Sequence, residues 1–271
     1  MASGEGSEPR AAVTSFDGRL RGTYVRLRSS VGLRSPLWYP HAMLRQLDDR
    51  LWTYEEPLRF VGVELGRIMT VIRLSSGGLF VQSPAELTSR LRAALDELGE
   101  VRFVAPASKL HGHLYMEQYA AAYPDVELLA APGLPARRSD LAFDHLLGDA
   151  PDPRWATDVD QVAVVGHRWL EEIAFFHPPS RTLILGDVGF HIGQTSPLPT
   201  RLVARALRIY RRVSPPIEFR YTIANEESFR RSIRRVLAWD FDRVIPGHGE
   251  IVETGGKRAV LEGYDWLLAD A

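Results

Sequence analysis

The chain has 271 residues, of which 45% are hydrophobic and 25% are charged, and its formal net charge is -1. A chain of this length can bury a large apolar core, and a charge this close to neutral indicates neither a nucleic-acid-binding protein nor an acidic tail. The sequence contains no cysteine. Disulfide frameworks, iron–sulfur clusters and thiol nucleophiles are therefore excluded, and any bound metal would be held by His, Asp or Glu.

The amino-terminal segment, residues 1–22, is rich in Gly, Ser and charged residues and contains no apolar run of the kind found in signal peptides. We predict that this segment lacks fixed structure and that residues 23–271 form a single domain. No stretch of the sequence reaches the roughly 18 apolar residues of a membrane span. We therefore expect a cytoplasmic protein that binds neither membranes nor nucleic acids.

The first predicted elements are a hairpin and a helix. Residues 67–74 and 79–82 are rich in β-branched and aromatic side chains and are separated by a Ser- and Gly-rich turn, which predicts two antiparallel strands. Ser83 as N-cap and Pro84 at the first helical position predict that a helix starts here. The glycine at position 99 predicts its end.

The rest of the chain alternates strands and helices. The predicted strands cover residues 101–106, 126–133, 161–166, 172–176, 182–187 and 242–250. The predicted helices cover residues 114–123, 199–213, 225–239 and 257–270. A polar stretch, 135–160, is predicted to wrap the surface, and the arginine series within 205–212 is interpreted as a solvated helix face. The order predicts an α/β fold, in which ligands bind beyond the carboxyl ends of strands.

Candidate metal ligands follow predicted strands in four separate loops. They are His111 and His113, His167, Asp187, and His248. Imidazole is a good ligand for zinc or iron, and such an ion needs about four ligands brought together from separate loops. Random placement of eight histidines would seldom put four of them at strand ends. Of the other histidines, His177 is interpreted as a turn residue between strands and His191 as a weaker site candidate.

The sequence resembles a known superfamily at two of these loops. TLILGD (182–187) and VIPGHG (244–249) resemble the second half of the metallo-β-lactamase superfamily, whose fold is an αββα sandwich with a metal site along one edge of the two sheets. LWTYEEPLRF, YPDVELLAAPGL and EEIAFFHPPS are similar to a poorly characterised branch of that superfamily, described as a domain of unknown function. The resemblance implies an αββα sandwich.

The first metal motif of that superfamily reads HxHxDH, and the present sequence matches only half of it. His111 and His113 match the two leading histidines, which bind the first metal. Tyr115 and Met116 stand where the motif carries its Asp and its last His. Met116 would then fill the space of an absent second ion.

The resemblance also implies roles for the later loops. Asp187 matches the aspartate that bridges the two metals, and His248 matches the final histidine. His167 lies in a Gly-His context like that of the third histidine, and Glu171 or Glu172 is the alternative for that ligand. If His167 is the ligand, then the two missing motif residues, replaced by Tyr115 and Met116, are both ligands of the second metal. The resemblance then implies one zinc or iron ion held by three imidazoles, with or without Asp187.

Such an ion would polarise a carbonyl or phosphoryl oxygen and lower the pKa of a bound water towards about 7. The first hypothesis is a hydrolase acting on a small-molecule ester, lactone, thioester or phosphoester. Asp187 and Tyr115 would be its catalytic residues, and Tyr115 would donate a hydrogen bond to a developing oxyanion. The alternative is a non-catalytic binding protein that keeps the fold and has lost its metals. Redox chemistry at a non-haem iron centre is a third hypothesis.

Overall fold

The computed structural model describes residues 43–60 and 63–269. Its strands are β1 (Arg45–Asp48), β2 (Leu51–Glu56), β3 (Arg59–Phe60), β4 (Val63–Glu64), β5 (Arg67–Arg73), β6 (Leu79–Gln82), β7 (Val101–Ala105), β8 (Glu127–Ala130), β9 (His145–Leu146), β10 (Asp160–Val164), β11 (Glu172–His177), β12 (Thr182–Ile184), β13 (Phe190–His191), β14 (Arg243–Ile245) and β15 (His248–Gly249). Its α-helices are α1 (Ser89–Leu98), α2 (Met116–Ala122), α3 (Leu134–Arg137), α4 (Leu198–Ala206), α5 (Glu226–Ala238), α6 (Gly256–Gly263) and α7 (Asp265–Leu268). None of the helices in these two ranges has the length and apolar content that a bilayer crossing requires.

The predicted disorder of residues 1–22 lies outside the described residues. That residues 23–271 form one domain stays a prediction.

The strands form two main sheets. The larger sheet has the order β1-β2-β5-β6-β7-β8-β9, and the smaller has the order β10-β11-β12-β14. The hairpin pairs are antiparallel, whereas β6-β7-β8-β9 and β12-β14 pair in parallel. Two short strands, β13 and β15, form a separate parallel pair. Parallel pairing aligns the carboxyl ends of β12 and β14, so the loops that follow them leave the same edge of the sheet.

Alternation of side chains along the strands explains the layers. Ile72 and Phe80 point between the two sheets, where the Phe80 ring lies 5.5 Å from the Phe175 ring. Their neighbours Val71 and Val81 point to the opposite face and pack in a core that includes residues of α1 and α2. Successive residues of a strand face opposite sides of its sheet, so each strand of apolar residues serves two cores.

The smaller sheet is covered in the same way. Phe176 and Val244 pack against Phe229 and Ile233 of α5 and against Tyr264 beside α7. The layers are therefore helix, sheet, sheet and helix. The predicted αββα sandwich of the α/β class is confirmed.

The predicted hairpin and the helix end at Gly99 are confirmed, but the predicted helix start is wrong. The helix begins at Ser89, and Thr88 is its N-cap, with its Oγ1 accepting from Leu91 N at 3.2 Å. The backbone N–H of Ala85 contacts Met69 Sδ, and that of Leu87 donates to a side chain of α2. These tertiary partners hold the chain out of the helix despite the favourable sequence.

Two other predictions need correction. The stretch 135–160 does not simply wrap the surface, because Leu147, Trp155 and Val159 are buried between the sheets. The helix predicted over 199–213 ends at Ala206. The chain then follows an irregular path, in which Arg211 among others has positive φ.

Candidate metal centre

Three predicted ligands meet at one edge of the sandwich. His111 follows β7, Asp187 follows β12, and His248 opens β15. One potential ligand atom from each of them lies within 4.8 Å of the others. The loops that carry Asp187 and His248 touch through glycine, since a Cβ added to Gly247 would lie 2.4 Å from the carbonyl oxygen of Gly186. This backbone contact lets the two side chains converge.

The carboxylate lies between two stacked imidazoles. Asp187 Oδ1 is 3.5 Å from His111 Nδ1 and 3.3 Å from His248 Nε2. The two imidazole rings are nearly parallel, with centroids 4.6 Å apart and an angle of 7° between their planes. Their side chains are largely shielded from solvent, with 13%, 12% and 8% exposed for His111, Asp187 and His248.

Hydrogen bonding fixes the tautomer of His248. Its Nδ1 lies 2.7 Å from the carbonyl oxygen of Gly66, and because a carbonyl only accepts, Nδ1 carries the proton. In a neutral ring Nε2 is then an acceptor, and it faces an Asp187 oxygen, which is also an acceptor. Nδ1 of His111 is buried and has no hydrogen-bond partner. A proton or a metal ion would fit between these ring nitrogens and the Asp187 carboxylate.

The protonation states suit a metal. Burial alone would raise the pKa of Asp187, but the adjacent imidazoles of His111 and His248 hold it well below its usual range. Burial lowers the pKa of His111. A carboxylate and two imidazoles form a donor set that zinc and non-haem iron accept. A metal-ligating histidine commonly donates its other ring N–H to a backbone carbonyl, as His248 does to Gly66. The residues present therefore fit a metal ion.

A serine ties the His111 loop to Asp187. Ser108 Oγ accepts from the backbone N–H groups of Leu110 and His111, both at 3.0 Å, and lies 3.4 Å from Asp187 Oδ2. Ser108 is fully buried. The sequence analysis missed this residue, although a serine directly after a strand and before a histidine loop is a signal for a turn.

Glu172 supports Asp187 from behind. Its Oε1 accepts from Gly186 N at 2.6 Å and its Oε2 from Val188 N at 3.0 Å. Burial, followed by the nearby charge of Asp187, raises the pKa of Glu172 well above its ordinary value. Because backbone donors occupy both oxygens, Glu172 positions the Asp187 turn and is not placed as a ligand. A glutamate beginning a strand as apolar as EIAFF was the signal for such a role.

His113 is not brought to the cluster. Its backbone carbonyl accepts from Arg138 Nη1 at 2.7 Å, and its Nδ1 lies 3.4 Å from the same nitrogen. Burial and the adjacent Arg138 charge lower its pKa to about 4. Nε2 of His113 is buried without a hydrogen-bond partner. The ring is therefore neutral near pH 7, and its nitrogens are not among the ligand atoms that lie within 4.8 Å of one another.

His167 is also engaged elsewhere. Its Nε2 donates to the carbonyl oxygen of Phe219 at 2.9 Å, and its Nδ1 accepts from the backbone N–H groups of Trp169 and Leu170. Both ring nitrogens thus serve the local fold. Glu171, an alternative third ligand, forms an ion pair with Lys109. The structure does not join any of these predicted third ligands to His111, Asp187 and His248.

The two residues that break the HxHxDH pattern have different surroundings. Tyr115 is half-buried, and the Arg67 guanidinium lies 4.7 Å from the centre of its ring. Met116 is fully buried at the start of α2, in the core between the larger sheet and its helices. Met116 is thus a core residue, and the oxyanion role of Tyr115 stays a prediction.

Solved structures share this architecture. A metallo-β-lactamase from Pontibacter korlensis superposes with a TM-score of 0.58 at 12% identity, covering 84% of this chain and 99% of that one. A metallo-β-lactamase from Hirschia baltica gives 0.54 at 12% identity, covering 83% and 94%. A metal-soaked flavodiiron core from Synechocystis sp. PCC6803 gives 0.60 at 10% identity, covering 84% and 60%. The identities are low, so the likeness establishes the fold.

Comparison with curated proteins finds no match to this sequence. One family model, described as a domain of unknown function (DUF4336), matches residues 48–216. That match spans more than half of the chain. The chain therefore belongs to the family described as a domain of unknown function (DUF4336), and it has the metallo-β-lactamase fold.

Proposed function

We propose that this chain is a metal-dependent hydrolase that holds one zinc or iron ion through His111, Asp187 and His248. Its substrate would be a small-molecule ester, lactone, thioester or phosphoester. The observation that carries the proposal is the convergence of His111, Asp187 and His248, whose ligand atoms lie within 4.8 Å of one another in a site shielded from solvent. A carboxylate and two imidazoles that converge in this way form a ligand set that zinc and iron accept.

The residues around the site have separable tasks. An ion with three protein ligands keeps a position for water or substrate and polarises a carbonyl or phosphoryl oxygen. Asp187 supplies the negative charge that balances part of the ion's charge, and Ser108 holds its other oxygen. Gly66 O fixes the tautomer and the ring direction of His248. Tyr115 would donate its hydroxyl proton in a hydrogen bond to the oxyanion that develops on the substrate.

A single ion is more consistent with these residues than two. A second ion would need a carboxylate and an imidazole at positions 115 and 116, where the chain has a phenol and a buried thioether. His113 contacts Arg138 instead of the cluster. The proposed ligand set therefore differs from the three imidazoles that the sequence implied, because it uses one carboxylate and two imidazoles.

A non-catalytic binding role is the alternative, and one observation favours it. Of the imidazoles expected at the site, that of His167 uses both ring nitrogens in other contacts, and that of His113 has its Nδ1 beside Arg138 while its Nε2 has no partner. A site with fewer ligands binds metal less tightly. Metal content and hydrolysis must therefore be measured separately.

The test starts from protein purified without chelator. We expect about one equivalent of zinc or iron, lost in His111→Ala and in His248→Ala. His145→Ala is the matched control, because this exposed histidine pairs with Glu127 away from the cluster. Hydrolysis of a panel of generic esters, thioesters, lactones and phosphodiesters should disappear with the metal and persist in the control.

The outcomes separate the two functions. Bound metal without hydrolysis of any panel member would favour the binding role. Protein without metal, whose melting temperature does not change on addition of zinc, would refute the proposed centre itself.

A further inference from the structure

A second cavity lies on the far side of the β13-β15 pair from the metal centre. Phe190 pairs with His248, and their rings are 4.5 Å apart, whereas His191 pairs with Gly249. Successive side chains of a strand point to opposite faces, so His191 faces away from the metal centre. It lines a cavity of about 520 Å³ together with residues of the 207–213 connection and of α6.

Three arginines are among the residues that line this cavity. They are Arg211, Arg212 and Arg258. Arg211 has no side-chain hydrogen bond or ion pair with any residue in the described ranges. Arg212 is 3.7 Å from Asp265, and Arg258 is 3.6 Å from Glu262, both longer than a hydrogen bond. Arg212 and Arg258, both exposed, are thus each near one carboxylate, whereas the exposed Arg211 has no such partner among the described residues.

The arginines are held in place by the fold. Arg211 N donates to Ile192 O at 2.9 Å, and Val213 N donates to Ala259 O at 3.1 Å. Arg211 has a φ of 57°, a backbone conformation that residues other than glycine rarely adopt. A Cβ on Gly263 would lie 2.0 Å from Val213 O, so the connection rests directly on α6. Sequence analysis interpreted Arg211 and Arg212 as part of a solvated helix face, and both are exposed but lie beyond the end of the helix at Ala206. An irregular segment brings these two arginines to the third.

The remaining polar groups suit an anion that also has an organic part. His191 Nδ1 donates to the carbonyl of Glu250 at 2.8 Å, which leaves Nε2 for another partner. The Thr254 hydroxyl also lines the cavity. Guanidinium groups bind phosphate oxygens in a bidentate manner. The volume exceeds the need of a lone phosphate and falls in the range of roughly 300–1,000 Å³ that is typical of small-molecule sites.

We propose that this cavity binds a phosphorylated small molecule, with its phosphate groups on Arg211, Arg212 and Arg258. The site is separate from the metal centre and does not depend on the proposed hydrolysis. Glu262, at the rim, would disfavour ligands that carry additional negative charge on that side.

Calorimetric titration of the full chain with inorganic pyrophosphate tests the proposal. We expect saturable binding that weakens at least about tenfold in the Arg211→Gln, Arg258→Gln double variant, since removing charged hydrogen bonds to phosphate costs about that much. Arg231→Gln with Arg235→Gln is the matched control, because both residues lie on the exposed face of α5. Where the double variant fails to fold, Arg211→Gln alone serves, since its side chain has no structural partner to lose.

A further variant separates the two sites. Combined His111→Ala and His248→Ala substitution should leave pyrophosphate binding unchanged, because these residues lie on the other face of the strand pair. The proposal is overturned if wild-type protein does not bind pyrophosphate saturably. It is also overturned if the α5 control weakens binding as much as the cavity variant, or if the metal-centre variant abolishes binding.

Discussion

Replacing Gly247 by alanine should disrupt the metal centre through a backbone collision. The added Cβ would lie 2.4 Å from Gly186 O and 2.8 Å from Gly186 Cα, whereas ordinary contacts of a Cβ begin at 3.4 Å. Both obstacles are main-chain atoms, so no side-chain rotation relieves them, and the two loops must separate by about 1 Å. Overpacking of this kind costs about 1–3 kcal/mol, and each kcal/mol lowers the melting temperature by roughly 2–4 °C in a domain of this size.

The same displacement acts on the ligands, because Asp187 and His248 directly follow the two colliding glycines. Metal–ligand distances must hold to within about 0.2 Å, so Gly247→Ala should lose zinc binding more completely than it loses stability. Thermal unfolding and a zinc titration measure the two effects. Gly148→Ala is the control, since its added Cβ would meet nothing within 4 Å. If Gly247→Ala binds zinc and unfolds like the control, the glycine contact between the two loops is not needed for zinc binding or for stability.

Three other substitutions test the surrounding contacts. His177 is buried, and its Nε2 has no hydrogen-bond partner. Burial, followed by the Arg50 charge, lowers the pKa of His177 to about 4. The free energy of unfolding therefore has its full value above about pH 6.5, and roughly 3 kcal/mol of it is lost as the pH falls to about 4. His177→Asn keeps a donor for Ser180 and should flatten this acid dependence in urea unfolding, and an unchanged slope would contradict the assignment. Ser108→Ala should lower the free energy of unfolding by about 1–3 kcal/mol and weaken zinc binding, because two backbone donors lose their acceptor. Glu172→Gln should weaken zinc binding while the chain still folds, because an amide N–H would face a backbone N–H beside Asp187. Zinc affinity equal to that of the wild type would argue against a positioning role for Glu172.

The convergence of His111, Asp187 and His248 was predictable because it depends on strand order. His111, Asp187 and His248 each follow a short apolar run, and parallel strands bring such loops to one edge of a sheet. The direction of a side chain within a loop has no comparable periodic signal. His113 follows Gly112, whose φ of 79° turns the chain, and its carbonyl is held by an arginine distant in sequence. His111 of the HxH pair therefore lies in the group of three, His113 does not, and ligation by either stays a prediction.

Local propensity failed where distant groups took the backbone hydrogen bonds. Ser83 and Pro84 form a favourable helix start, yet Ser83 has a φ of 53°, and the helix begins only at Ser89, after the N-cap Thr88. After Ala206, the arginine-rich pattern continues with helical spacing, but contacts to Ile192 and Ala259 hold the chain in another path. In both segments the competing partner lies far along the sequence, so no window around the segment contains the information that decides its conformation.

The buried polar cluster is not explained by stability of the fold. Replacing a buried ionic group by apolar residues of similar volume is often neutral or stabilising, by about 1–4 kcal/mol. His111, Asp187 and His248 nevertheless meet in a solvent-shielded place, where the two imidazoles hold the pKa of the Asp187 carboxyl well below its usual range. Ser108 and Glu172 add hydrogen bonds that keep Asp187 and its turn in this position. A metal ion held at that point would have all three side chains as ligands, and for this reason the metal is proposed from the chemistry of these side chains as well as from the likeness of the fold.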